Sequence, residues 1–119
     1  MFNVSFGYSS PLKDYWRKGE LPTVTKDVYG NPLVDVTIEH LIPKSCGGPS
    51  KLYNFGLANK ATNDIRGNKP LLEYTTKENL IAWFMQFKHV NLPKLRGRDY
   101  IRDSVKFLEK NGIKLDIKI

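Results

Sequence analysis

The sequence contains a single cysteine, Cys46, and no long run of apolar residues. One thiol excludes an intramolecular disulfide and the usual structural zinc site built from several cysteines, and it fits a reducing compartment. No stretch approaches the length of a membrane-spanning helix, and the first residues lack the basic-then-apolar pattern of a signal peptide. We therefore expect a cytoplasmic protein without a membrane partner.

What the sequence does contain is typical of one globular domain. The chain has 119 residues, of which 40% are apolar and 26% charged, and this length suffices for a modest core. No internal repeat, low-complexity tract or domain boundary interrupts it. We predict a single domain over residues 1–119.

The positive charge lies in the second part of the chain. The formal net charge is +7. Residues 1–50 carry five Lys or Arg against five Asp or Glu, whereas residues 51–119 carry fourteen against seven. Such an excess is typical of a surface that faces nucleic acid, although basic proteins without this partner are common.

The first part of the chain predicts a short helix and a β-hairpin. Ser10 is a candidate N-cap followed by proline at the first helical position, and the helix is expected to reach about Lys18. Residues 1–10 are expected to form an edge strand or an arm. Residues 23–28 and 33–39 flank a turn cluster, which favours a hairpin.

The segment 36–70 is the stretch around which the rest of the chain is arranged. It begins with alternating apolar and polar residues, which is typical of a half-buried strand. This strand ends at Glu39 and His40, an adjacent carboxylate and imidazole. A glycine-rich turn at residues 47–49 follows.

The second half of segment 36–70 contains an apolar run and a predicted polar helix. The run covers residues 52–57 and carries Asn54. The helix is predicted from Ala58 to Arg66 and ends at Gly67, since glycine favours the position after a helix. Its periodicity predicts a core-facing stripe of Ala58, Ala61 and Ile65 and an exposed side of Asn59, Asn63 and Arg66.

The last part predicts two helices and a strand. Thr75 begins a capping box, since a glutamate stands three residues later, and a helix is expected over about residues 77–89. A connector, residues 91–98, leads to a helix over about 99–110 and a final strand, or a tail that pairs with a partner, over 113–119. The first of these helices carries an apolar stripe that is expected in the core: Leu80, Trp83, Phe84 and Phe87.

In their order and spacing, the polar residues of segment 36–70 resemble the HNH nuclease motif. This is the ββα-metal fold of homing endonucleases, colicin nucleases and phage resolvases. Two features depart from the family pattern: Glu39 stands where aspartate is usual, and the paired cysteines of zinc-braced members are absent. The matching residues are Glu39-His40, Leu41-Ile42-Pro43-Lys44-Ser45, Gly47-Gly48, Asn54-Phe55 and Asn63-Asp64-Ile65-Arg66-Gly67.

The resemblance implies an α+β fold with a ββα core at about residues 36–70, a β-hairpin extension and two or three packing helices. It also implies a metal-dependent endonuclease that hydrolyses DNA phosphodiester bonds. His40 would be the general base, and Glu39 and Asn63 would hold one divalent cation, Mg²⁺ or Mn²⁺, with no structural zinc. Asn54 belongs to the implied catalytic set, and its amide is best interpreted as a clamp on the loop between the strands.

The residues suit this chemistry. An imidazole with an ordinary pKa near 6.5 is partly neutral at pH 7 and accepts a proton from water. The oxygens of Glu39 and Asn63 suit a hard cation such as Mg²⁺. Consecutive residues of a regular strand point to opposite faces, so the strand must end or twist for Glu39 and His40 to reach one phosphate. Asn59 is a rival to Asn63 as the ligand.

Several cationic residues are candidates for contacts with DNA. Arg66 fits either a phosphate contact or a charge that complements the end of its helix. We expect the N-terminal helix, with Lys13, Arg17 and Lys18, to contribute less than the later cations. The predicted nucleic-acid-binding residues are Arg66, Lys69, Lys94, Arg96 and Arg98.

Two other functions remain open from the sequence. One is a catalytically weak or inactive nucleic-acid-binding module, because Glu39 is longer than the usual aspartate and displaces the metal. The other is a protein-binding inhibitor or regulator of phage or mobile-element type that only borrows the fold. For any of these functions, a phage-encoded protein that acts in the host cytoplasm, and a homodimer or a protein partner, stay open. The presence of His40, Asn54 and Asn63 together favours the nuclease, whose DNA preference we expect to be non-specific or structure-dependent.

Overall fold

The structure, a computed structural model, describes residues 10–118 as a mixed α+β fold. The α+β prediction is confirmed at this level. No helix among the described residues is long and apolar enough to cross a membrane. The helices are α1 (Pro11–Arg17), α2 (Lys60–Arg66), α3 (Lys77–Met85) and α4 (Gly97–Lys110), and the strands are β1 (Val36–His40), β2 (Phe55–Asn59), β3 (Asn91–Leu92) and β4 (Leu95–Arg96).

Helix α1 begins and ends as the sequence predicts. The Ser10 side chain accepts a hydrogen bond from Leu12 N at 3.2 Å, and proline occupies the first helical position. Gly19 follows with a φ of 75°, a conformation that glycine adopts without steric cost. The arm or edge strand expected before this helix falls on residues 1–9, which lie outside the described residues.

Strands β1 and β2 pair antiparallel and form the centre of the fold. In their register His40 lies opposite Phe55, and Glu39 lies opposite Gly56. A Cβ atom on Gly56 would stand 2.5 Å from Val28 Cγ1, so only glycine permits this packing. The strand runs to Asn59, and the prediction that helix α2 begins at Ala58 was wrong. Ala58 is buried as a strand residue.

The predicted hairpin over residues 23–39 was wrong in its first arm. Within that arm only Lys26 forms a bridge, with Pro32. Side-chain amides replace the ladder: Gln86 Oε1 accepts hydrogen bonds from the backbone N–H groups of Thr25 and Lys26, at 2.9 and 3.0 Å. Gln86 Nε2 donates to the carbonyl of Lys26 at 3.0 Å. Gln86 thus satisfies three backbone groups of this arm, and backbone bonds between the arms remain from Leu33 N to the carbonyl of Thr25 and from Asp27 N to the carbonyl of Asn31.

Helix α3 contributes several core residues and begins at Lys77 as predicted, but its capping residue differs from the prediction. Thr76, not Thr75, is the N-cap and accepts from Asn79 N at 3.0 Å. Thr75 is buried, and its hydroxyl donates to the carbonyl of Val28 at 2.7 Å. The helix ends at Met85, earlier than expected. The predicted core stripe is confirmed, since its four residues are fully buried: Leu80, Trp83, Phe84 and Phe87.

Helix α4 crosses the start of β2 and joins it to α3. The Tyr100 hydroxyl donates to the carbonyl of Phe55 at 2.6 Å and accepts from Trp83 Nε1 at 3.0 Å. The expected connector before α4 contains the hairpin β3–β4. The predicted strand over residues 113–119 was wrong for the part described, since residues 113–118 form no strand. Ile113 and Leu115 pack into the core instead.

Candidate active site

His40 occupies the last position of β1, at the edge of the loop that joins β1 to β2. Its Nε2 lies 3.0 Å from the hydroxyl oxygen of Ser50, and its ring meets the Phe55 ring edge-on, with 5.1 Å between centroids. Burial lowers the pKa of His40, and the positive charges of Lys44 and Arg66 lower it further. The imidazole is therefore neutral at pH 7, the form that accepts a proton.

Asn54 ties down the loop between β1 and β2 from inside. Its side chain is fully buried. Nδ2 donates to the carbonyls of Ile42 and Pro49, both at 3.0 Å, and Oδ1 accepts from Ile42 N at 2.8 Å. This is the structural role that we predict for Asn54, and it leaves the side chain no contact with solvent or substrate.

The same loop closes tightly against Asn54 at Gly48. A Cβ atom at this position would stand 1.8 Å from the carbonyl oxygen of Ile42 and 2.8 Å from Asn54 Nδ2. Gly47 beside it has a φ of 88°. The two consecutive glycines thus serve different needs, one for space and one for backbone conformation. Together with Asn54 they fix the path of the chain directly after His40.

Glu39 points into the protein, away from the open side of the site. It is 3% exposed, accepts a hydrogen bond from the Tyr29 hydroxyl and lies 3.5 Å from Arg66 Nη1. Burial raises the pKa of Glu39, although Tyr29, Arg66 and the backbone N–H of His40 each act in the opposite direction. The expected placement of Glu39 as an open metal ligand does not hold in this arrangement.

Arg66 is buried, and its prediction as an exposed phosphate contact was wrong. Nε donates to the carbonyl of Lys69 at 2.8 Å, Nη1 to the carbonyl of His40 at 3.0 Å, and Nη2 to the carbonyl of Leu41 at 2.8 Å. A guanidinium has five N–H groups, and these bonds with the Glu39 ion pair occupy most of them. The predicted stripe of α2 was also wrong, since Ile65 is 65% exposed.

The two asparagines that competed for the ligand position have different surroundings. Asn59 is the last residue of β2, and its Oδ1 accepts from Val34 N and Asp35 N while Nδ2 donates to the carbonyl of Pro32. Asn59 therefore holds the 32–35 segment. Asn63 is half-buried on α2, and its Nδ2 donates to the carbonyl of Ile38 in β1 at 3.1 Å. Of the two side chains, that of Asn63 is the one that hydrogen-bonds to the strand that carries His40.

The remaining predicted cations lie on the surface. Lys69 is exposed, and its Nζ lies 3.3 Å from the carbonyl of Ile65 and 5.9 Å from the Tyr74 ring centroid. Lys94, Arg96 and Arg98 are exposed on the β3–β4 hairpin and the start of α4. None of the contacts described for these three involves His40.

Sequence reasoning missed three residues that shape this site. Lys44 lies near enough to lower the pKa of His40, Ser50 contacts its imidazole, and Tyr29 completes the buried pair of Glu39 and Arg66. The position of Lys44, four residues after the histidine in a tight loop, was a usable signal. Ser50 and Tyr29 gave none, because their contacts depend on how the loops fold back.

The arrangement does not fit a divalent cation held by Glu39 and Asn63 together. The Glu39 carboxylate is enclosed and already faces a hydroxyl, a guanidinium and a backbone N–H. Among residues 10–118, no group of three or more His, Cys, Asp or Glu side chains is placed to hold a metal ion. Asn63 remains an oxygen donor of the type that Mg²⁺ accepts.

No family model, curated protein or solved structure matches this chain. The functional proposal therefore rests on the site residues and their arrangement, above all on His40 and the loop that Asn54 binds.

Proposed function

We propose that this protein is an endonuclease of the HNH type that hydrolyses DNA phosphodiester bonds with His40 as the general base. The observation that supports this most is the position of the His40 imidazole at the end of β1, beside a loop that Asn54 binds through three hydrogen bonds. The surrounding order of strand, loop, strand and helix is the order that the ββα resemblance implies. The net charge of +7 suits a polyanionic substrate.

The roles of the residues follow from their positions. The neutral His40 imidazole accepts a proton from a water molecule as the water oxygen bonds to phosphorus, and the sugar oxygen departs and takes up a proton from solvent. Negative charge builds on the phosphoryl oxygens in this step, and the exposed ammonium of Lys44, which is near enough to lower the pKa of His40, attracts that charge. Arg66 holds the His40 carbonyl, so the imidazole stands on a fixed backbone.

The resemblance also implies a bound divalent cation, which in such sites neutralises the phosphate and stabilises the leaving oxygen. Asn63 suits this ion, whereas the enclosed Glu39 does not. We therefore assign no step to a metal. The assay below measures the metal requirement directly.

A second function is favoured by one specific observation. Because Arg66 and Tyr29 enclose Glu39, the residue at the family's aspartate position does not reach the open side of the site. A domain that binds nucleic acid without cleaving it is consistent with this geometry. The nuclease requires His40 for cleavage, whereas a binding domain does not cleave at all. One cleavage experiment therefore separates the two functions.

The experiment is cleavage of supercoiled plasmid by the parent protein and by His40→Ala, each with Mg²⁺, Mn²⁺ or EDTA. We expect the loss of the general base to lower the rate by about 10²–10⁴, with DNA binding and the circular dichroism spectrum unchanged. Asn68→Ala, an exposed neutral substitution, is the matched control. Equal cleavage by His40→Ala and the parent would refute the assignment, and binding without cleavage under all three conditions would establish the second function.

A further inference from the structure

The turn of the β3–β4 hairpin contains an unusual backbone conformation. Lys94 has a φ of 65°, and it is the only non-glycine residue among residues 10–118 with a positive φ. Proline followed by a residue with positive φ is the pattern of a type II turn, in which glycine or asparagine is strongly preferred at the second position. A lysine there is strained by roughly 1–2 kcal/mol. Lysine at position 94 therefore lowers the local stability of this turn relative to glycine.

Residues of this hairpin line two grooves. One, of about 390 Å³, is lined by Lys88, Arg96 and Arg98 at the start of α4. The other, of about 340 Å³, is lined by Lys18 of α1 and by Lys94. The Tyr15 hydroxyl donates to the carbonyl of Pro93 and so attaches α1 to the hairpin. Residues from three separate parts of the chain thus meet at one edge of the fold.

The charge of this edge is strongly positive. All five cations are exposed, and none forms an ion pair within the described part of the chain. The acidic residues that line the two grooves are Asp14 and Asp99, and Asp99 lies 3.1 Å from Arg102 Nη1. The five cations, hereafter the hairpin cations, are Lys18, Lys88, Lys94, Arg96 and Arg98.

We propose that the hairpin cations form the surface that contacts the DNA phosphate backbone, with Lys94 at its centre. This inference rests on the proposed function, which makes DNA the ligand, and it adds α1 and Lys88 to the contact. Exposed lysines and arginines that neutralise phosphates supply most of the affinity of non-specific binding. Strained backbone conformations cluster at active sites and ligand contacts, and a glycine at position 94 would carry no charge.

The first test separates binding from stability at one position. Lys94→Gly removes both the charge and the strain, so it should weaken binding while the thermal midpoint stays equal or rises. Binding is measured by fluorescence anisotropy of a labelled duplex in the His40→Ala background, which prevents cleavage during titration. We expect a loss in affinity of about 2–10-fold at 50 mM salt, as one phosphate contact disappears. Unchanged affinity of Lys94→Gly would overturn the central role of this residue.

The second test compares two triple variants with the same change in charge. Lys18→Gln, Lys94→Gln and Arg98→Gln together should flatten the slope of log K against log salt by about 2–3, since each phosphate contact contributes roughly 0.9. Lys106→Gln, Lys110→Gln and Lys114→Gln together alter exposed lysines elsewhere and should change the slope by less than 1. An equal effect of both triples would overturn the surface, because binding would then follow net charge alone.

The two binding tests can be interpreted even if the protein does not cleave DNA. The hairpin surface is tested by binding of a protein without His40, whereas the nuclease is tested by plasmid cleavage by the parent. Absence of cleavage with intact, hairpin-dependent binding supports the surface and removes the catalytic proposal. Absence of duplex binding at 50 mM salt, or tighter binding of single-stranded RNA than of duplex DNA, overturns the surface as assigned here.

Discussion

Arg66 and Glu39 form an ion pair inside the protein, with Nη1 of Arg66 3.5 Å from Oε2 of Glu39 and side chains that are 0% and 4% exposed. The pair joins the last turn of α2 to the end of β1. Since Arg66 also donates to the carbonyls of His40 and Leu41, one side chain connects the helix to the backbone of the proposed general base. A residue with the sequence appearance of a DNA contact thus has an internal structural role.

Removal of the guanidinium should therefore destabilise the protein strongly. Arg66→Met leaves the Glu39 carboxylate buried without its counter-charge, and such losses cost about 3–5 kcal/mol. Urea denaturation measures the change in the free energy of unfolding. The double variant Arg66→Met with Glu39→Leu should recover part of the loss, because no unpaired charge remains. A double variant no more stable than Arg66→Met would show that the carbonyl bonds, not the ion pair, account for the effect.

Glu39 provides a separate test of the metal site. Since its carboxylate is enclosed, Glu39→Gln should cleave with the same half-maximal Mg²⁺ concentration as the parent. Asn63→Ala is the comparison, and it should require more Mg²⁺ if its oxygen binds the ion. Plasmid cleavage over a Mg²⁺ titration measures both. A tenfold higher Mg²⁺ requirement for Glu39→Gln would mean that this carboxylate leaves Arg66 and ligates the metal.

The acidic limb of the pH–rate profile should report the lowered pKa of His40. A protonated imidazole does not accept a proton, so kcat/KM should fall only below the ordinary value of about 6.5. Lys44→Met removes a positive charge that disfavours the imidazolium, so it should raise the His40 pKa and move the limb to higher pH. The rate on the plateau should fall as well, because the phosphate loses an attractive charge.

Proton NMR titration of the His40 ring gives the same pKa independently of turnover. Lys51→Met, which removes an exposed lysine from the same loop, is the control and should leave the titration in place. A limb that moves equally in both variants would contradict a specific effect of Lys44.

The loop clamp makes a stability prediction. Asn54→Ala leaves the N–H and carbonyl of Ile42 and the carbonyl of Pro49 without their partner, which should cost about 2–4 kcal/mol. Gly48→Ala should be similarly damaging, since its Cβ would overlap the carbonyl of Ile42. Denaturant midpoints measure both, with Asn68→Ala as the exposed control. A loss below about 0.5 kcal/mol for Asn54→Ala would contradict the clamp.

Local pattern predicted much of this unit. The strand that carries His40 and the glycine turn follow from residues adjacent in sequence, whereas the role of Asn54 was predicted from the motif as a whole. The burial of Arg66 was not predictable in this way, because it depends on Tyr29 and Glu39, which reach it only after β1 and α2 pack. The predicted core-facing stripe of the short helix α2 was wrong for the same reason. Its inward face carries Asn63 and Arg66, and its apolar Ile65 faces outward.

Stretches without regular structure were the least predictable. The sequence between residues 23 and 35 has the alternation and turn residues of a hairpin, and nothing within it indicates that Gln86, directly after α3, would bond to its backbone groups. The hairpin β3–β4 was not predicted, because each of its strands has only two residues and is too short to show an alternating pattern. Whether the chain is a nuclease stays a prediction that the cleavage assay tests.

The amide side chains that hold residues 25–35 also determine how that segment should behave over time. The backbone N–H groups of Thr25 and Lys26 donate hydrogen bonds to the side chain of Gln86, and those of Val34 and Asp35 donate to the side chain of Asn59. They should therefore exchange with deuterium as slowly as strand amides, although they lie in no strand. Each pair depends on one side chain, so it should become fast-exchanging in a single step in Gln86→Ala or in Asn59→Ala, without the gradual fraying of a ladder.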